Sequence, residues 1–385
     1  MPAPPRVLIV GHDASRSGAP RALDAFLRWL ARGPAPAVEV LLGRGGPALA
    51  ETAALAPSST ADRAPWGALG RLLDGLDAVG APSAALRQRV QRGGAGDRQT
   101  DVVVANTLAA LPLACAVAPG VPLVCWVHEL DGVADRVLPT GPRAHLVARV
   151  DQFVAAGGWV AAMLAERWGV APERVTTVSE PIDPLTVTAV EAAAARDALG
   201  LGDGPLVLGV GTAGARKGTD AFLAVVAALG DHPSRPVAAW VGGDPASGAW
   251  AEARHDVAAA GLGHRVRLLP SDAPPFALMA AAAVVLSTAR EDPCPLTALE
   301  AGLLGTPVAA FAAGGAADLL RAAGLDDLVV PALDVLALAD RVGALIDAGD
   351  GPDLGRRLGE VVRWTSATAV VAPAVWSVIE ACAAR

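Results

Sequence analysis

The chain has 385 residues, of which 53% are hydrophobic and 18% charged, with a formal net charge of −8. That length allows two or three domains with full cores and excludes disorder as the main description. The acidic balance argues against nucleic acid, whose phosphates need clustered Lys and Arg. Tyrosine is absent, so no mechanism can use a catalytic Tyr. The four cysteines, Cys115, Cys125, Cys294 and Cys382, are scattered. They form neither a disulfide framework nor a zinc pattern and read as buried small hydrophobes.

In chain order, the first residues carry one cation and an apolar run too short for a secretion signal. RVLIVG (6–11) is the first predicted strand. Residues 11–30 follow it as a turn ending in Gly18-Ala19-Pro20 and a helix with proline in its first turn. A glycine at such a strand end lets backbone N–H groups and the helix dipole approach an anion. An ordinary strand-to-helix turn is the alternative. VEVLLG (38–43) is the next strand, and residues 43–100 are rich in Gly, Pro and Ser around two amphipathic stretches without recognisable chemistry.

Residues 102–127 are uncharged and long enough to span a membrane. Asn106-Thr107 and Pro112, Pro119 and Pro122 break that run, which reads as strand, short helix, strand. His128 and Glu129 end the second of these strands. A histidine there is expected to point at the crevice and donate to a ligand hydroxyl or phosphate, the alternative being one satisfied locally. QFVAAG (152–157) and RVTTVS (174–179) complete the first series.

The stretch 181–204 holds a PIDP turn, a helix EAAAARDALG and an LGDGP turn, and marks a domain boundary. A second series follows: PLVLGVG (205–211), PVAAWVGG (236–243), VRLLP (266–270), AVVLST (283–288) and PVAAF (307–311). From Asp334 onward only helices are predicted. Continuous apolar strands alternating with helices mean a parallel sheet, and the series occurs twice. The fold class is therefore α/β, with two doubly wound, Rossmann-like domains.

Residues 206–220, LVLGVGTAGARKGTD, admit three readings. Gly209, Gly211 and Gly214 form G-x-G-x-x-G, but the dinucleotide fingerprint wants an acid about 20 residues on. Here the next strand ends at Gly242-Gly243-Asp244, farther along. A P-loop needs Gly-Lys-Ser/Thr, whereas this chain has Arg216-Lys217-Gly218. A cationic pair at a turn opening a helix suits a diphosphate held without a metal. A solvated basic turn remains the bland alternative. In residues 287–315, Asp292 and Glu300 are separated by seven residues. Pro295 starts a helix and leaves the N–H groups of residues 296–298 free for an anion. Glu300, about one turn in, is placed to accept from a vicinal diol such as a ribose.

With these blocks the chain resembles the retaining, GT-B-fold glycosyltransferases of family 4. EDPCPLTALEAGLLGTPVAAF is similar to that family's E-x7-E signature and following strand, and GVGTAGARKGTDAFL to its strand, turn and RKG helix. HDASRSGAPRAL, VVVANT, VCWVHEL and RVTTVSEPID resemble the N-terminal half and linker strand of one branch. The resemblance implies GT-B architecture with the two domains facing a cleft. It implies an acceptor-side domain at 1–183, a donor domain at 184–364, and a last helix at 365–385 packing back on the first. It implies transfer of a sugar from a nucleoside-diphosphate sugar, with retention of configuration and no cofactor or metal. The absence of Asp-x-Asp fits that expectation.

By the same resemblance, Arg216 and Lys217 neutralise the diphosphate, Asp292 holds the donor hexose and Glu300 the ribose. His128 approaches the donor sugar, and Gly18 opens the loop facing the phosphates and acceptor. Gly211, Thr212, Glu291, Leu296 and Thr297 complete the implied donor site. No enzymic nucleophile is implied, and the donor phosphate serves as base on the front face. Three positions depart from the pattern. Thr212 stands where many members have Arg, Asp292 where the first Glu is usual, and Gly157 where a serine is usual.

The acceptor, a sugar, lipid-linked glycan or small molecule, has no signature. No transmembrane segment is expected, and a cytoplasmic location is. Strong membrane attachment is not expected without a basic amphipathic helix, although peripheral contact stays open. Three other classes compete: a catalytically weak binding or assembly subunit, a sugar-nucleotide epimerase on the same fold, and an NAD-dependent oxidoreductase.

Overall fold

The computed structural model describes residues 4–33, 36–61, 100–138 and 140–385. The two amphipathic stretches read within 43–100 fall mostly in 62–99, outside the described residues. The chain divides into two compact units, one of Met1–Pro181 with Thr368–Arg385, the other of Ile182–Ala367. Element labels below number the described elements.

In the first unit the order is β1 (Val7–Gly11), α1 (Gly18–Leu30), β2 (Val38–Leu42), α2 (Leu49–Leu55), β3 (Ser58–Thr60), β4 (Val102–Asn106), α3 (Leu111–Val117), β5 (Leu123–Val127), α4 (Asp131–Val137), α5 (Thr140–Arg149), β6 (Gln152–Ala156), α6 (Gly158–Ala162) and β7 (Val175–Val178). The strands form one sheet ordered β3-β2-β1-β4-β5-β6-β7, and every pair is parallel. Strand alternation sends Leu8, Val10, Val103, Cys125 and Phe153 to one buried layer. It sends Val7, Ile9, Val104, Trp126 and Val154 to the other. With both faces covered, the strands must be apolar throughout, as their sequences are. The uncharged run 102–127 is thus a β-α-β unit, with a 3₁₀ turn at Leu108–Ala110 before α3. No helix among the described residues is long and apolar enough to cross a membrane.

In the second unit α7 (Ala189–Asp197) precedes β8 (Leu206–Val210), α8 (Thr219–Ala228), β9 (Val237–Val241), α9 (Gly248–Ala259), β10 (Val266–Leu269), α10 (Pro275–Ala281), β11 (Val284–Ser287), α11 (Leu296–Leu303), β12 (Val308–Phe311), α12 (Gly315–Ala322), β13 (Val329–Val330), α13 (Val335–Ala348) and α14 (Gly351–Thr365). Its sheet runs β10-β9-β8-β11-β12-β13, again parallel. Phe222 and Trp240 meet edge to face at 5.3 Å in its core. A Cβ at Gly209 would stand 2.3 Å from Trp240 Cε3. The first glycine of the G-x-G-x-x-G run therefore serves core packing.

All eleven strands read from the sequence are present. Two edge strands were not read. β3 is Ser-Ser-Thr without an apolar pattern, and β13 has two residues. Strand order reverses between β1 and β4 in the first sheet and between β8 and β11 in the second. The loops leaving these strands diverge to opposite faces, which opens a crevice at each switch point.

The last helix, α15 (Thr368–Ala383), belongs to the first unit. Its stripe of Val371, Ala372, Val375, Ile379 and Cys382 packs into the layer of Ile9, Phe26 and Trp126. Ile379 is fully buried. Ile379→Ala should therefore cost the first unit about 2–5 kcal/mol. Calorimetry resolving the two units should show only its transition lowered. A lowered transition in the second unit alone would contradict this packing.

Candidate functional site

At the second unit's switch point, β8 ends at Val210 and the chain turns through Gly211, with φ of 151°. A Cβ on Gly211 would lie 3.3 Å from the Lys217 stem, which therefore lies across this glycine. Gly218 starts α8 with φ of 72°, and a Cβ there would come within 1.9 Å of the Thr288 carbonyl oxygen. Only glycine fits, because this turn passes directly against the loop leaving β11. Thr288 Oγ1 donates to the Gly218 carbonyl at 2.9 Å, and the Arg290 amide to the Arg216 carbonyl at 2.9 Å. Arg290 forks onto both Asp220 oxygens at 2.9 and 2.7 Å.

The two laced loops bring Arg216, Lys217, Glu291 and Asp292 together. Lys217 Nζ forms an ion pair with Asp292 Oδ2, with the side chains 20% and 13% exposed. Arg216 Nη1 donates to the Glu291 carbonyl at 3.0 Å. The Asp292 carbonyl accepts from the Gly315 amide at 2.9 Å, which ties the acidic loop to the start of α12. Thr212 is exposed at the turn.

Pro295 caps α11, and the Ala298 amide donates back to the Pro295 carbonyl at 3.0 Å. The expectation that residues 296–298 all keep free amides is thereby narrowed to Leu296 and Thr297. Both are partly accessible and precede the first bonded turn. Glu300 is 2% exposed, one turn inside this helix. Its side chain is thus buried rather than exposed at the helix surface. Among the described residues, no group of three His, Cys, Asp or Glu is placed to hold a metal ion.

The first unit's switch point gathers His12, Asn106, Thr107, His128 and the exposed Gly18 opening α1. The His128 side chain is only 5% exposed, and both ring nitrogens are engaged. Nδ1 lies 2.6 Å from Glu180 Oε1, and Nε2 lies 3.0 Å from Asn106 Oδ1. This differs from the crevice-facing ring read from the sequence. Two polar partners inside the unit satisfy the ring and hold it down. Asn106 Nδ2 donates to the Ala19 carbonyl in the first turn of α1 at 3.2 Å. Buried Glu129 accepts from the amides of His128 at 3.0 Å and Leu108 at 3.1 Å. Thr107, between them, has φ of 125°, a strained value for a β-branched residue. The amide bonds to Glu129 and the Ala110 amide on Thr107 Oγ1 hold it there. Gly157, where a serine is usual, adopts φ of 103°.

Burial acts to lower the His128 pKa, but Glu180, by charge and hydrogen bond, and Glu129 together raise it above the ordinary value of 6.5. His12 moves the other way. Its burial lowers it, opposed by Asp13 and reinforced by His128 and Arg44. Burial pushes Glu129 up, against His128 and the backbone amides. Glu180 could not be read as a partner from local spacing, because the contact spans 52 positions.

A histidine whose folded pKa is raised contributes stability that is fully present below 6.5 and lost as pH rises through the folded value. The stability difference between wild type and His128→Gln should therefore be full below 6.5 and shrink as pH rises through the raised folded value. Chemical denaturation at several pH values measures it. A difference that stays flat or grows would contradict the assignment.

Two family models match this chain: Glycosyltransferase Family 4 over residues 18–184 and Glycosyl transferases group 1 over residues 204–348. A D-inositol 3-phosphate glycosyltransferase of Catenulispora acidiphila is 34% identical over 248 residues, 59% of this chain and 59% of that protein. One from Streptosporangium roseum is 33% identical over 279 residues, 66% of this chain and 60% of that protein. The matches thus span less than two thirds of these relatives. Among solved structures, Anabaena Alr3699/HepE in complex with UDP and glucose superposes with a TM-score of 0.79, covering 97% of this chain and 99% of that one at 20% identity. WaaG, a glycosyltransferase involved in lipopolysaccharide biosynthesis, gives 0.72 over 97% and 99% at 16% identity. At such identities the likeness carries the fold, which is GT-B with two Rossmann-like domains. With one family model on the sequence of each domain, the chain belongs to the family 4, group 1 glycosyltransferases.

Proposed function

We propose that this protein transfers a sugar from a nucleoside-diphosphate sugar to an acceptor hydroxyl, with retention of configuration and without a metal ion. The observation that carries the reading is the Lys217–Asp292 ion pair, with Arg216 anchored beside it, at the β8/β11 switch point. Relatives named as inositol-phosphate glycosyltransferases and a structural neighbour holding UDP and glucose support it.

Cleavage of a glycosyl phosphate builds negative charge on the departing diphosphate. Arg216 and Lys217, fixed cations on one turn, stabilise that charge, and the amides of Leu296 and Thr297 add N–H donors from a helix end. When Lys217 turns to phosphate, Asp292 loses its partner and becomes free to accept from the donor hexose. Glu291 anchors Arg216 through its carbonyl. Glu300 accepts from the ribose diol from below, and Gly211 leaves room for the diphosphate above the Lys217 stem. Arg216 supplies the charge that Thr212 lacks. The donor phosphate oxygen takes the acceptor proton on the front face.

Thermal melting against UDP, GDP, ADP, dTDP and NAD tests the donor class. One nucleoside diphosphate at 100 times its dissociation constant should add about 2.7 kcal/mol, unchanged by EDTA. A shift with NAD alone, or with none of them, would contradict the reading. Lys217→Ala should weaken the diphosphate by about 1.5–3 kcal/mol while leaving the nucleoside nearly unaffected. Equal losses in calorimetry would remove Lys217 from the phosphate. Glu300→Ala, which removes the acceptor, should bind the deoxyribose and ribose nucleotides alike, and retained discrimination would remove Glu300 from the ribose.

A further inference from the structure

We propose that Glu180 is a positioning residue that keeps the His128 ring doubly protonated, so that an imidazolium acting through Asn106 holds the first turn of α1. Hydrogen-bond direction carries the inference. The Ala19 carbonyl can only accept, so the Asn106 group 3.2 Å from it is the amide NH₂. Asn106 Oδ1 then faces His128 Nε2 at 3.0 Å and can only accept, so Nε2 carries a proton. On the other side of the ring, Nδ1 meets Glu180 Oε1 at 2.6 Å, the short distance of a charge-assisted bond.

The surroundings favour charge on the ring. The Trp126 ring lies 5.0 Å away between centroids, tilted by 38°, within the range at which an aromatic ring attracts a cation. Of the titratable groups near the ring, Glu180 at the end of β7 and Glu129 beside it favour the charged form, and His12 at the end of β1 disfavours it. The direction of the His128 pKa agrees. Both Glu180 and His128 side chains are 5% exposed, so water screens neither. Glu180 Oε2 has no partner among the described residues, which leaves the imidazolium as the compensation for this carboxylate.

The chain of contacts runs Glu180, His128, Asn106, Ala19. Glu180 immediately precedes Pro181, where the first unit ends and the chain passes into the second. The end of the connecting segment is therefore tied to the turn that opens α1. His128 accordingly acts through Asn106, as a link and not as a proton acceptor. Its bearing on sugar transfer rests on the function proposed above, whereas its protonation does not.

Histidine-selective ¹⁵N NMR on the full chain tests it, with His128 assigned by its loss in His128→Gln. At neutral pH the wild type should show both His128 ring nitrogens protonated. Glu180→Gln should convert the ring to one N–H at the same pH and speed hydrogen exchange at the Arg21 and Ala22 amides. Glu180→Asp, which keeps the charge, should retain the second proton. A wild-type ring with a single N–H, or a doubly protonated ring in Glu180→Gln, would overturn the proposal. Should Glu180→Gln not fold, the wild-type spectrum and Glu180→Asp still decide. UDP binding by the same samples separates the two readings. A wild type that binds no nucleoside diphosphate refutes the donor site while the ring spectrum still judges Glu180.

Discussion

A parallel sheet obliges every strand to finish at the same edge, and the reversal of strand order leaves one gap along that edge. In each unit of this chain the chemistry-bearing loops leave the two strands that flank the gap, β1 and β4 in one sheet and β8 and β11 in the other. Helices on both faces bury the strands, so polar side chains have room only at the strand ends. Arg216, Lys217 and Asp292 in one unit, and His12 and Asn106 in the other, lie at those ends, with His128 at the end of the adjacent β5. The site is a consequence of the winding before it is a consequence of any single residue.

Within that frame the charges balance one another locally. Lys217 and Asp292 are mostly buried, and either alone would carry a desolvation penalty that their pairing offsets. The proposed donor resolves the same problem from both sides, its diphosphate taking Lys217 and its hydroxyls taking Asp292. A nucleoside diphosphate without the sugar meets Lys217 but leaves Asp292 unpaired. The pair would therefore favour the intact donor over the product, a preference that eases product release. In the other unit, His128 and Glu180 form a second shielded pair that the ligand need not break.

Much of this was legible in the amino-acid order. Runs such as VLIVG and VVVAN read as strands covered on both faces, and the turns after them mark the binding edge. The spacing of Asp292 and Glu300, and the Arg216-Lys217 pair, were readable because each motif is local. Three things were not. The polar strand Ser58–Thr60 has no apolar pattern, since an edge position does not demand one. That Lys217 binds Asp292 depends on two loops 75 positions apart being laced by Thr288 and Arg290. The depth of His128 depends on Asn106 reaching it from the adjacent β4 and Glu180 from beyond β7, two strands away, which no local spacing encodes.

The central claim is that Lys217 exchanges Asp292 for a phosphate. A calorimetric double-mutant cycle on nucleoside diphosphate binding, using Asp292→Asn and Lys217→Ala, addresses it most directly. The account predicts that Asp292→Asn strengthens binding when Lys217 is present and changes it little when Lys217 is absent. Additive effects, or weaker binding in Asp292→Asn, would contradict it.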